Sequence, residues 1–250
     1  MTDDQPEEGP PIEQEPEPSL EHGPVLTPAE RSPYAPSLAT KLLAVATSVV
    51  IFGGGLLYSL RYELGLVEGH YQFMVVDRGG DPVTYPACRP ISYAVFGDTS
   101  LRGGQELIDE AVAQIVADTG LSFVPLGHSA PDAMVRITWS DPETEPRLAG
   151  ETVGLGGSTS VVDEETGRRY YVRGVVNLDT PDLAESYLRH GRDEVRAVIM
   201  HELAHVVGLD HVDDPNELMH AENLGKTEFG PGDREGLAEL GKGPCLGQDS

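Results

Sequence analysis

The sequence predicts an α+β domain in its C-terminal part, and three observations carry that prediction. An amphipathic helix is expected from Gln105 to Thr119. A second long helix is expected from Arg192 to Val207. Short β-type segments precede and separate them. Strands and a helix, more strands, then a helix carrying polar chemistry is an α+β or mixed α/β order.

The elements follow from periodicity. ISYAVF, Ile91 to Phe96, alternates well enough for a strand. Gly103 and Gly104 precede the first helix, in which Leu107, Ile108, Ala111, Val112, Ile115 and Val116 share one face. Gly120 stands where a helix C-terminus favours glycine. LSFVPL and MVRITWS read as two further strands, the second placing Trp139 in the core. The stretch GETVGLGGSTS lacks a GK[ST] and a following helix, so it is a loop or an edge strand rather than a phosphate loop. YYVRGVVNLD reads as a long strand or a strand pair.

Composition divides the 250 residues further. Residues 1–40 are rich in Pro, Glu, Asp and Gln and cannot bury enough surface to offset their ordering entropy, so they are expected to be a disordered acidic tail. Its partner, if it docks one, is not legible. Leu42 to Leu60 carries no charge and lies between Lys41 and Arg61. It just reaches the ~20 residues that span a bilayer. Gly53, Gly54 and Gly55 would weaken a buried soluble helix, and no small-x-small site follows as in a cleaved leader. Residues 41–61 are therefore expected to be a single transmembrane anchor, 62–87 a juxtamembrane linker interrupted by Pro82 and Pro86, and 88–250 the folded domain. A formal charge of −25 argues against nucleic acid as a partner, since phosphate binding needs clustered Lys and Arg.

The chemistry lies in HELAHVVGLDH, residues 201–211. Helical residues four apart lie one above the other, so His201 and His205 can share a metal ion. Zinc suits neutral imidazole, and catalytic zinc keeps three protein ligands with one open position. Glu202 adjoins the first ligand and is placed to take a proton from an attacking water. Gly208 can adopt the left-handed conformation that ends a helix, and the reversal would return His211 toward the metal. Five fixed positions in eleven occur by chance in roughly one chain in 10⁴ of this length.

This segment, followed eight positions later by Met219, resembles the metzincin zinc metallopeptidases, and its spacing is similar to that of the matrixins. CRPISYAVF resembles their first strand, GGQELIDEAVAQIVADTGLSF their first helix and next strand, and DREGLAELG their C-terminal helix. The resemblance implies a twisted mixed sheet on two long helices with a small C-terminal lobe. It implies one catalytic Zn²⁺ on His201, His205 and His211, Glu202 as general base, and Met219 as an apolar floor. An extended peptide or protein substrate would add a strand to the sheet edge. Matrixins usually continue Met-x-Pro, whereas this chain reads Met219-His220-Ala221. His220 is expected to be a turn residue, since a fourth ligand would close the site. No histidine cluster lies between Arg136 and Tyr187, so a second zinc is not expected, while Asp163, Glu164 and Asp179 leave Ca²⁺ open.

Cys88 adjoins the first strand and Cys245 follows the last helix, so the pair is expected as a disulfide rather than Cys88 as a zinc-binding switch. A disulfide needs an oxidising space, which favours an anchor with its N-terminus inside and the domain outside the cytoplasm, at the cell membrane. Abundant Gly, Pro and Val with few lysines point toward a high-GC bacterial source. The reading is a membrane-anchored zinc endopeptidase. The alternative is a zinc-retaining, non-proteolytic extracytoplasmic binding module.

Overall fold

The structure, a computed structural model, describes residues 70–97 and 101–246. The expected tail and the membrane span Leu42 to Leu60 lie outside the described residues. Among the described residues, no helix is long and apolar enough to cross a membrane.

A five-stranded sheet forms the frame. In chain order its strands are β2 (Ile91–Phe96), β3 (Phe123–His128), β4 (Val135–Ser140), β5 (Gly154–Val162) and β6 (Arg169–Asp179). Their spatial order is β3-β2-β4-β6-β5, parallel throughout except for β5, which runs antiparallel at one edge. Alternation explains the buried face. Ile91, Tyr93 and Val95 point inward from β2, and Val135, Ile137 and Trp139 from β4. The Gly-rich stretch thus forms the edge strand rather than a loop, and YYVRGVVNLD is one long strand.

Two helices, α1 (Gly104–Thr119) and α3 (Arg192–Val207), pack together against the sheet. Leu107, Ile108 and Ile115 are fully buried on α1, each contributing about 1.5–3 kcal/mol of transfer free energy. Gly120 ends α1 at φ 73°, its N–H donating to Val116 O at 2.8 Å. A helix that the sequence reading passed over, α2 (Thr180–His190), follows β6 directly. Asp179 caps it by accepting the Asp182 N–H at 3.1 Å, and Pro181 stands in its first turn. The short strand β7 (Leu209–Asp210) and the helix α4 (Pro231–Leu240) belong to the C-terminal part, where α4 packs on α1.

The expected linker needs correction. Residues 70–87 pack into the domain rather than standing apart from it. The strand β1 (Gln72–Phe73) pairs antiparallel with β7, and the Met74 N–H donates to Gly208 O at 2.9 Å. Val83 and Tyr85 are buried in the core. The Tyr85 hydroxyl meets Ser158 Oγ at 2.9 Å, and Ser158 Oγ donates to Val206 O at 2.7 Å. Pro82 and Pro86 do interrupt regular structure. The segment is held instead by residues more than seventy positions away, which local pattern does not register. Cys88 and Cys245 are joined, with Cα atoms 5.6 Å apart.

Candidate metal centre

α3 ends at the site, and its last two turns carry His201, Glu202 and His205. Gly208 then reverses the chain at φ 120°, its N–H bonding Ala204 O at 3.0 Å and His205 O at 3.2 Å. A Cβ there would be strained by that φ and would also press on Leu240, Tyr171 and Val83 at 3.1–3.3 Å. β7 leads directly from this turn to His211.

The three imidazoles converge. His211 Nε2 lies 3.0 Å from His201 Nε2 and 3.1 Å from His205 Nε2. His201 Nδ1 is 2.9 Å from Leu218 O, and His205 Nδ1 is 2.8 Å from Leu209 O. A carbonyl only accepts, so each Nδ1 carries the proton and each Nε2 turns a bare lone pair toward the common point. Burial, reinforced by the neighbouring imidazoles, pushes His201 down to about 3. Burial likewise pushes His205 down to about 4. Both rings are therefore neutral at ordinary pH. Lone pairs facing one another at these distances repel unless a cation lies between them. Nitrogens on a tetrahedral zinc with Zn–N of ~2.0–2.1 Å stand ~3.3 Å apart, so the donor set and its spacing fit zinc.

Glu202 is 7% exposed, and burial raises its carboxyl to about 7 despite the Gly156 N–H it accepts. Strand β5 crosses α3 at this residue, and only glycine permits so close an approach. A Cβ on Gly154 would sit 2.7 Å from Glu202 Oε1, and one on Gly156 would overlap the Glu202 carbonyl oxygen. Neither position admits a side chain without moving Glu202, its carboxyl group at Gly154 and its backbone at Gly156.

The turn bearing Met219 is fastened from below. Met219 is fully buried, and Val212 N–H donates to its carbonyl at 3.0 Å. Asp233 at the start of α4 accepts N–H groups from Leu218 at 2.6 Å, Gly230 at 3.0 Å and Met219 at 3.4 Å. In return Glu217 accepts those of Gly232 and Asp233, both at 2.9 Å. Both carboxyl groups are buried. The clamp fixes Leu218, whose carbonyl orients His201.

His220 lies in the following turn, where its Nδ1 accepts the Glu222 N–H at 3.1 Å, outside the histidine trio. Asp163 closes a local turn by accepting from Thr166 N and Oγ1 at 2.8 and 2.7 Å, and Glu164 lies exposed in the same turn. Asp179 caps α2, as described, and keeps Oδ2 buried without a hydrogen-bond partner. A cavity of about 560 Å³ opens over the histidines, walled by β5, α3 and residues 220–226. The close glycines and the two clamping carboxyl groups were missed in the sequence. Only the Gly-x-Gly spacing within GETVGLGGSTS could have pointed to the former.

Three histidines with converging Nε2 atoms, a buried carboxyl group beside them and an edge strand along the cavity are the arrangement of a metallohydrolase-type centre. The matrixin model of the peptidase M10 group matches residues 89–240. The chain belongs to the matrixin family, and that membership places it among the metallopeptidases. No individual curated protein matches the chain.

Proposed function

We propose that this protein is a zinc-dependent endopeptidase held at the cell membrane by residues 42–60, with its domain outside the cytoplasm. The observation that carries the catalytic part is the convergence of three histidine Nε2 atoms, two of them with their protons held on Nδ1, beside Glu202 in an open cavity. His201, His205 and His211 would hold the ion. Bound there, zinc supplies Lewis acidity toward the scissile carbonyl and the attacking water.

The chain's own groups do the rest. The Leu218 and Leu209 carbonyls hold two imidazoles in the ligating tautomer. The free edge of β5 offers backbone groups to an extended peptide, which would lie as an added strand. Glu202 takes one proton from water as its oxygen bonds the carbonyl carbon. It then passes that proton to the amide nitrogen as the C–N bond breaks. The products are a carboxylate and an amine.

Digestion of a broad peptide library by the full chain tests this, with zinc measured on the same sample. One zinc per chain is expected, together with cleavage that a chelator abolishes and added zinc restores. A zinc-loaded chain that cleaves nothing would instead support the binding-module reading. Membrane placement draws support from the charge-free run and from the joined cysteines, which persist in oxidising compartments. In right-side-out vesicles, added protease should digest a C-terminal tag and spare an N-terminal one. A protected C-terminus would reverse the orientation.

A further inference from the structure

Among the described residues, Lys226 is the one lysine or arginine that lines the cavity. The same cavity is also lined by the apolar Ala197, Val198, Leu218, Ala221 and Leu224. Lys226 is half-buried and makes no ion pair or hydrogen bond with any of the described residues.

Its position is set by two ties from its own segment to α3. Asn223 Nδ2 donates to Glu194 Oε1 at 2.5 Å. Arg196 donates to Thr227 O at 3.2 Å and pairs with Glu228. These contacts stand on either side of Lys226, and between them Gly225 turns the chain at φ 71°. Arg196, the basic neighbour on α3, is thus already neutralised by Glu228, and Lys226 is not.

Acidic groups also line the cavity, but they do not answer this charge. Both oxygens of the buried Glu217 are held by the Gly232 and Asp233 N–H groups. Asp210 Oδ1 accepts the His211 N–H at 2.8 Å. Glu151 and Glu222 are exposed to solvent. An ammonium lining the cavity without an ion-pair partner among the described residues leaves its charge for a bound ligand to answer. A substrate carboxylate reaching it would form a charge-assisted hydrogen bond, while a neutral side chain would leave it unpaired.

We propose that Lys226 is a specificity-determining residue that selects peptides carrying Glu or Asp beside the scissile bond. The inference rests on the peptidase reading above. The chain's net charge of −25 acts against acidic substrates at long range, but it is screened at physiological salt over ~8 Å. The contact with Lys226 is short-range, so it dominates selection once the peptide is seated.

The test uses the full-length, zinc-loaded chain and peptides differing only beside the scissile bond, with Glu, Gln or Lys placed on each side in turn. The wild type is expected to prefer Glu over Gln by about tenfold or more in kcat/KM, the scale of one charge-assisted hydrogen bond. In Lys226→Ala that ratio should fall to near one, and Lys226→Glu should favour the Lys peptide. Each figure is a ratio within one protein, so a variant's folding yield cancels. A wild-type ratio near one overturns the inference, as does an unchanged ratio in Lys226→Ala, and either leaves the peptidase reading standing provided neutral peptides are cleaved. Failure of the zinc-loaded wild type to cleave any peptide overturns both.

Discussion

Glu202→Ala is expected to lower kcat/KM by ~10²–10⁴-fold, the range associated with a positioned general base, while one zinc per chain is retained. The two readouts separate base from ligand. Glu202 stands outside the histidine trio, so its loss should not release metal. Its acidity gives a second signature. Burial raises the carboxyl to about 7, and a dication alongside draws it back down. The active form is the carboxylate, so activity is present above this value and lost as pH falls through it. The acid limb should therefore have its midpoint below pH 7 and fall about tenfold per pH unit. Zinc content measured across the same range separates this limb from protonation of the histidines. Wild-type activity in Glu202→Ala, or a pH profile without an acid limb, would remove Glu202 from the mechanism.

Asp233→Ala is expected to have the largest effect on stability. It would strip the acceptor from the Leu218, Gly230 and Met219 N–H groups, all near a fully buried carboxyl. An orphaned buried donor costs about 1–3 kcal/mol, and because such losses are not additive the sum should be about 3–5 kcal/mol. Leu218 would then hold its carbonyl less firmly under His201, and zinc affinity should fall ~10–100-fold, as when an outer partner of a ligand is lost. Urea unfolding and zinc titration of the same variant read the two effects. Asp233→Asn keeps one acceptor oxygen and should lose less in both. A loss below ~1 kcal/mol with unchanged zinc affinity would show that the turn does not depend on this clamp.

Local pattern made much of this molecule legible. The Arg192–Val207 helix, the Ile91–Phe96 strand and the reversal at Gly208 are each set by residues close in sequence, so spacing and a single glycine suffice to read them. What escaped reading depends on long-range pairing. Val83 and Tyr85 lie in a stretch broken by prolines, and their burial is decided by Ser158, Tyr171 and Val206. Asp233 and Glu217 look like ordinary surface acids until the fold sets each carboxyl group against backbone N–H groups of the other's segment. The glycines of β5 read as flexibility, whereas Gly154 and Gly156 are small because a strand and a helix meet there.

The pairing of β1 with β7 gives the site a mechanical character. Gln72 and Phe73 are hydrogen-bonded to Leu209 and Asp210, the two residues that carry the chain from Gly208 to His211. Cys88 is joined to Cys245, so the end of this segment is also fastened covalently to the C-terminal end of the domain. A pull at His70 would load its contact with Asp214 and the pairing of β1 with β7, and through them the residues that present the third histidine. Force on this segment would therefore reach the histidine trio through a few hydrogen bonds as well as through the covalent link.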